Sequence, residues 1–173
     1  MANAAGQLSS GYGIGYLGPH GKEVKADLGM SDTDFTWAVS SLLIGGIPGC
    51  LVAGWIADTI GRRKSLFVCY IISTLGWVLV SMAATVSMLV AGRVMHGLGE
   101  AMVVVISNMY LGEMVGQKYK GAILCSLSVA CWAGTTLVYT FGLVLGWREG
   151  AGLGVGINMV GIVCLGFVPE SPH

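Results

Sequence analysis

Gly54-Trp-Ile-Ala-Asp58-Thr-Ile-Gly61-Arg62-Arg63-Lys64 is the stretch whose reading decides the fold. A long apolar segment ends there in small residues, one carboxylate and three adjacent cations, and another long apolar segment follows at once. Cations this dense between two membrane-length segments mark a cytoplasmic loop. The glycines at fixed places around Asp58 ask for more than charge, because a loop that only anchors helices has no use for them.

Composition agrees with lipid as the solvent. The chain has 173 residues, 54% hydrophobic and only 10% charged, with a mean hydropathy of +0.76. A soluble domain carries about 25% charged residues, and this chain has too few to cover a water-facing surface. Its net charge of zero gives no footprint for nucleic acid. Cys50, Cys69, Cys125, Cys131 and Cys164 sit in apolar stretches without a C-x-x-C pair, so they read as small core residues rather than a disulfide framework or metal site. The G-x-G-x-G runs at Gly11 to Gly15 and Gly152 to Gly156 lack the flanking strand of a dinucleotide site. No nucleophile elbow, carboxylate pair or His/Cys cluster points to an enzyme, a cofactor or a metal.

Six membrane segments are legible against the roughly 20 apolar residues that a spanning helix needs. They cover about 2–19, 36–57, 65–86, 88–112, 121–145 and 151–168. The first carries Asn3, Gln7, Ser9 and Ser10 and starts at the first methionine, and the last is short and glycine-rich, so the chain reads as clipped at both ends. No basic region precedes the first apolar run, as a signal peptide would require. Arg62, Arg63, Lys64, Lys118 and Lys120 lie on one side of this layout, against Lys22, Lys25 and Arg148 with several carboxylates on the other. The positive-inside rule places the first group, and both chain ends, in the cytoplasm.

The 28 glycines fit close helix packing in lipid, at small-x-x-x-small spacing. Gly45/Gly49/Ala53/Ala57, Gly11/Gly15, Gly97/Ala101 and Gly150/Gly154 have that spacing. Pro48, inside segment 2, predicts a kink. Segment 1 reads Gly6-x4-Gly11-x-Gly13-x-Gly15 and segment 4 reads Gly92-x4-Gly97-x-Gly99-x-Ala101. Transporter halves built from two inverted three-helix repeats place segments 1 and 4 in corresponding positions.

Several motifs carry chemistry. Asp58 with Arg62-Arg63-Lys64 reads as a conformational latch, the arginines reaching carboxylates at neighbouring helix ends. Arg93 in segment 4 can snorkel, or can work inside the membrane beside the slot that Gly97 and Gly99 open. Glu113 and Lys120 flank the loop between segments 4 and 5, and Glu170 lies in Pro169-Glu170-Ser171-Pro172. Gly54, Gly61, Gly97, Gly99 and Gly121 read as helix-packing positions. His96 and Glu100 share a helix face with Arg93. With no second carboxylate to complete a relay, the reading favoured there is a Glu paired with Arg93 or facing water, rather than a proton-handling pair. Ser128, Trp132, Thr135 and Tyr139 form one stripe on segment 5. That stripe serves equally as a sugar-sized lining or as a helix seam bonded through Ser and Thr.

Taken in order, the Gly54–Lys64 loop, Arg93-x-x-x-Gly97, Tyr110 to Lys120-Gly121 and Pro-Glu-Ser-Pro resemble the N-terminal half of the sugar porter family, within the major facilitator superfamily. Gly11-Tyr-Gly-Ile-Gly15-Tyr16-Leu-Gly-Pro19 is most similar to the class III glucose transporters and the facilitated trehalose transporters. The resemblance implies an all-α transmembrane fold, here the six-helix half of a twelve-helix bundle whose C-terminal half is missing. It implies a cytoplasmic charge network of Asp58, Arg62, Arg63, Glu113, Lys120 and Glu170, with Arg93 steadying segment 4 against segment 1 near the outer side. It implies a sugar, hexose or disaccharide, bound near Ser128, Trp132 and Thr135 and moved through the plasma membrane by facilitated diffusion.

Departures from the family pattern are specific. Leu17 stands where proton-coupled members carry Asp, which favours passive transport unless Glu100 substitutes for it. Ser128 and Thr135 replace the usual sugar-holding glutamines, Asn108 replaces a proline, and His173 stands in place of a cation. The alternatives are a carrier of another polar solute or organic ion, or a non-transporting half that regulates a full-length partner.

Overall fold

The computed structural model describes residues 2–114 and 117–166, except the side chains of residues 2, 3, 113, 114, 117, 118 and 120. Seven helices and no strands occur among the described residues: α1 Ala2–Gly15, α2 Leu17–Leu28, α3 Asp32–Ile60, α4 Arg62–Ser81, α5 Val86–Met114, α6 Gln117–Phe141 and α7 Trp147–Gly166. Only Tyr16 separates α1 from α2, and its own backbone is helical (φ −54°, ψ −45°). The two therefore act as one rod, the first of six. Helices α3 to α7 contain five stretches long and apolar enough to cross a membrane.

Local chemistry sets the helix ends. The first rod continues past Pro19, the end of the sequence-predicted segment, to Leu28. Pro19 falls in the first turn of α2, where its missing N–H breaks no intrahelical bond. Gly29 closes α2 in the left-handed conformation (φ 59°). Ser31 opens α3 with a capping box: its hydroxyl accepts from the Asp34 N–H, and its own N–H donates to Asp34. At the other end of α3, Gly61 takes φ 87° and joins α3 to α4 in one residue. Segment 3 was expected to run to 86, but α4 stops at Ser81, since Ala83 and Ala84 continue the apolarity without continuing the helix. Likewise α6 ends at Phe141 rather than 145, in turns around Gly142, and α7 starts at Trp147 rather than 151. Helix α3 runs through Pro48 without interruption.

Inside the bundle, α5 packs against α3 and α4, and α1 packs against α6 and α7; α4 meets α7, and α1 meets α5. Trp77 sits between these elements, its ring centroid 5.0 Å from Tyr16, 5.7 Å from Tyr12 and 4.5 Å from His96. The polar residues that weakened the first segment turn inward: Gln7, Ser9 and Ser10 are buried. Apolar side chains turn outward instead, with Trp37, Leu43, Ile47, Leu51 and Trp55 exposed along α3. This inversion of the soluble pattern suits a protein surrounded by lipid or by another apolar surface.

The glycine echo between segments 1 and 4 has a structural counterpart. A Cβ on Gly11 would overlap the carbonyl oxygen of Cys131, and one on Gly134 that of Leu8, so α1 and α6 touch backbone to backbone. In the same way a Cβ on Gly97 would overlap the carbonyl of Leu42, and one on Gly45 that of Val94, bringing α5 onto α3. In each seam the carbonyl lies three residues before its own helix's glycine: Leu8 before Gly11, Cys131 before Gly134, Val94 before Gly97 and Leu42 before Gly45. The α1–α6 seam is thus repeated by the α5–α3 seam, as two inverted repeats require.

Of the glycines read as packing positions, Gly97 and Gly99 fit that role, Gly99 closing on the α4 backbone at Cys69 and Ser73. Gly54 and Gly121 do not, since a Cβ at either would meet nothing within 4 Å among the described residues. Gly61 also faces open space and acts through its positive φ. Gly97→Leu is expected to abolish most of the monodisperse peak in size-exclusion chromatography of the detergent-solubilised protein, because neither backbone can yield. Gly156→Leu, facing open space, should leave that peak unchanged.

Candidate functional site

Three groups of polar residues stand out along the bundle. The first lies at the Arg-Arg-Lys end. Arg62 Nη1 donates to Asp58 Oδ1 across the Gly61 junction, four residues away. One carboxylate that Arg62 reaches is thus the one that closes α3. Arg63 Nη2 donates to the carbonyl of Gly166, 2.9 Å away at the last residue of α7, where the helix dipole favours a cation. The side chains of Glu113 and Lys120, and all of Glu170, lie outside the described residues.

At the opposite end the loops between the rods meet. Arg148 Nη2 donates to Asp27 Oδ2 at 3.1 Å and to the Ala83 carbonyl at 3.2 Å, joining the start of α7 to the end of α2 and to the α4–α5 loop. Glu23 accepts from the Trp147 N–H at 3.0 Å, at the start of α7. The Tyr16 hydroxyl donates to the Trp147 carbonyl, and the Tyr12 hydroxyl donates to the Gly150 carbonyl at 2.8 Å. Lys25 donates to Asp32 at 2.7 Å and holds that carboxyl below the usual carboxylate range. Glu23, Asp27, Trp147, Arg148 and Glu149 line an open cleft of about 650 Å³ on this side.

The third group is buried in the middle. Arg93 is 1% exposed. Its Nη1 donates to the Gly13 carbonyl at 2.9 Å, and its guanidinium lies 5.9 Å from the Tyr16 ring centroid. It does not snorkel; it bonds α5 to the break region of the first rod. Glu100 is neither paired with Arg93 nor facing water, which corrects both forms of the favoured sequence reading. It is 5% exposed, and its Oε2 lies 2.9 Å from the Ser73 hydroxyl and 3.3 Å from the Ser9 hydroxyl. Asn158 joins the same group: its Nδ2 donates to Ser73 Oγ at 3.0 Å, and its Oδ1 lies 3.1 Å from the Ser9 hydroxyl. The sequence signal for this group was present but divided. Ser9 reads as a polar weakness of segment 1, and Asn158 as a lone amide in an apolar run.

The stripe on α6 splits into two roles. Thr135 Oγ1 donates to the Gly11 carbonyl at 2.9 Å and belongs to the α1–α6 seam. Trp132 is 71% exposed, and Ser128, also exposed, bonds back to the Leu124 carbonyl of its own helix. Tyr139 packs its ring edge over Gly15 and Gly18. It lines a groove of about 410 Å³ with Ile14, Phe35, Lys22 and Lys25.

A family description, Major Facilitator Superfamily, matches residues 4–173. The chain belongs to the Major Facilitator Superfamily. Its similarity to Sugar transporter ERD6-like 6 of Arabidopsis thaliana is 31% identity over 170 residues, covering 98% of this chain and 35% of that protein. Solute carrier family 2, facilitated glucose transporter member 8 of Mus musculus is 27% identical over 177 residues, covering all of this chain and 37% of that protein. The chain thus spans little more than a third of these relatives' length. The proton:xylose symporter XylE bound to 6-bromo-6-deoxy-D-glucose superposes with a TM-score of 0.89 at 21% identity, over 99% of this chain and 44% of that one. That likeness places the six rods as the N-terminal half of a major facilitator bundle.

Within this half, Thr135 and Trp132 are separable by experiment. Thr135→Val should lower the thermal unfolding midpoint by about one to two degrees, the loss of roughly 0.6 kcal/mol from one interhelical bond. Trp132→Ala, which removes an outward-facing ring, should leave the midpoint unchanged.

Proposed function

We propose that this chain forms the N-terminal half of a transporter that carries a sugar, hexose or disaccharide, by alternating access. The observation that carries this reading is the unbroken match of the whole chain to proteins named as sugar transporters. In this reading the Arg62–Lys64 side and both chain ends face the cytoplasm of a plasma-membrane protein, in keeping with the positive-inside rule. The substrate path runs between this half and a C-terminal six-helix half, along the face that carries Ser128 and Trp132. An exposed indole offers a stacking surface for a sugar ring, and Ser128 offers a hydroxyl; Thr135 contributes through the seam behind them.

Asp58, Arg62 and Arg63, joined by Glu113, Lys120 and Glu170, form the cytoplasmic charge network that stabilises the outward-open state. A ligand shifts such an equilibrium only through different affinities for its two states, so the network matters to rate without touching substrate. Leu17, buried in the core, stands where proton-coupled relatives of the sugar porter family carry Asp, which supports facilitated diffusion. Uptake by the complete protein, tested with hexoses, disaccharides and organic ions, decides the substrate class: saturable uptake confined to organic ions would overturn the sugar reading.

Arg62→Ala should slow sugar uptake roughly tenfold, corresponding to about 1.4 kcal/mol of lost differential stabilisation, while surface delivery stays near that of the wild type. Equal loss of both would leave the network only a folding role. Trp132→Ala should raise KM with delivery unchanged.

A further inference from the structure

Glu100 stands at the junction of four helices, its Oε2 in contact, among the described residues, with two hydroxyls, those of Ser9 and Ser73. Ser9 of α1, Ser73 of α4 and Asn158 of α7 surround it, and His96 lies one turn away on α5. Its Oε1 is buried and has no hydrogen-bond partner among the described residues. Other ionisable groups in this part of the bundle are Cys69 and Tyr70 on α4, Cys131 on α6, and His96 and Arg93 on α5 itself. Ser9 and Asn158, supplied by α1 and α7, carry no charge. Arg93, the one cation in this set, is committed to the Gly13 carbonyl. An ionised carboxylate here would be buried without a counter-charge and with one oxygen unbonded, an arrangement costing several kcal/mol.

The count of hydrogens points the same way. Four close contacts need a hydrogen between Ser9 and Glu100, Ser9 and Asn158 Oδ1, Ser73 and Glu100, and Ser73 and His96 Nδ1. Ser9 and Ser73 have one hydroxyl hydrogen each, and the His96 tautomer with a proton on Nδ1 supplies a third. A hydrogen on Glu100 Oε2 supplies the fourth. The acid donates to Ser9, Ser9 donates to Asn158, Ser73 donates to the acid, and His96 donates to Ser73. Asn158 Nδ2 still donates to Ser73 as well.

We propose that Glu100, wired by Ser9, Ser73, His96 and Asn158, is a proton-binding site inside the six-helix bundle, occupied in this conformation. The ligand is a proton, and its release places an unpaired charge where α1, α4, α5 and α7 meet, forcing that junction to open or admit water. The site lies apart from the sugar-facing surface of α6 and does not depend on what the protein carries.

Infrared difference spectroscopy of the purified protein in lipid nanodiscs at neutral pH tests it, because a protonated carboxylic acid has a C=O stretch separate from the carboxylate bands. The wild type should show this band, Glu100→Gln should lose it, and Ser73→Ala should shift it, since Ser73 bonds the acid directly. Identical spectra in this region for wild type and folded Glu100→Gln would overturn the proposal. Should Glu100→Gln fail to fold, an acid band unmoved by Ser73→Ala would overturn it equally. Failure of sugar uptake would bear on the substrate reading and leave these spectra unaffected.

Discussion

Backbone contact between helices is the constraint from which the rest of this structure follows. At four glycines the carbonyl of a neighbouring helix occupies the space of a side chain. In lipid no hydrophobic force draws helices together, so close van der Waals contact must hold the bundle. The α1–α6 and α5–α3 seams supply that contact. With those two pairs fixed, α4 and α7 close the remaining side around Trp77, Tyr12 and Tyr16, whose rings fill the volume that the glycines leave free elsewhere.

Once the seams are set, the placement of polar groups becomes a matter of where each can be satisfied. At the two ends, charges pair or cap helices: Asp58 with Arg62, Arg63 with the end of α7, Arg148 with Asp27, and Glu23 with the start of α7. In the middle, Arg93 finds a carbonyl released where α1 gives way to α2, and Glu100 finds only neutral partners. The same buried helix face therefore treats its cation and its acid differently. A guanidinium keeps its charge under nearly all conditions, whereas a carboxyl can be neutralised.

Much of this was legible in the chain. The Gly54–Lys64 stretch located the α3–α4 junction, and the shared glycine spacing of segments 1 and 4 pointed to the repeat that the seams display. Helix ends were less legible, because hydropathy does not sense caps: Ala83 and Ala84 look like membrane residues but sit in the link between α4 and α5, and Pro19 looks like a stop but opens a helix. Partners of single polar side chains were least legible. His96, Glu100 and Arg93 share a face on spacing alone, yet Arg93 reaches a backbone carbonyl of α1 while Glu100 reaches the hydroxyls of Ser9 on α1 and Ser73 on α4. Thr135 and Trp132 also fall on one stripe, and three residues suffice to carry one into a seam and leave the other facing outward. Spacing fixes a face to within a side chain's reach; which neighbour occupies that reach depends on the other helices.

The paired seams also bear on inherited variation. Every missense change of a glycine codon adds at least one carbon to the backbone, so Gly11, Gly45, Gly97 and Gly134 have no conservative replacement. At Gly54, Gly121, Gly152, Gly156 and Gly166 a Cβ meets nothing within 4 Å among the described residues, and drift there is cheap within this half. Glycine content is therefore a poor guide to mutational load in this chain: damaging alleles should concentrate at the glycines whose Cβ would meet a neighbouring backbone, Gly49, Gly76 and Gly99 among them.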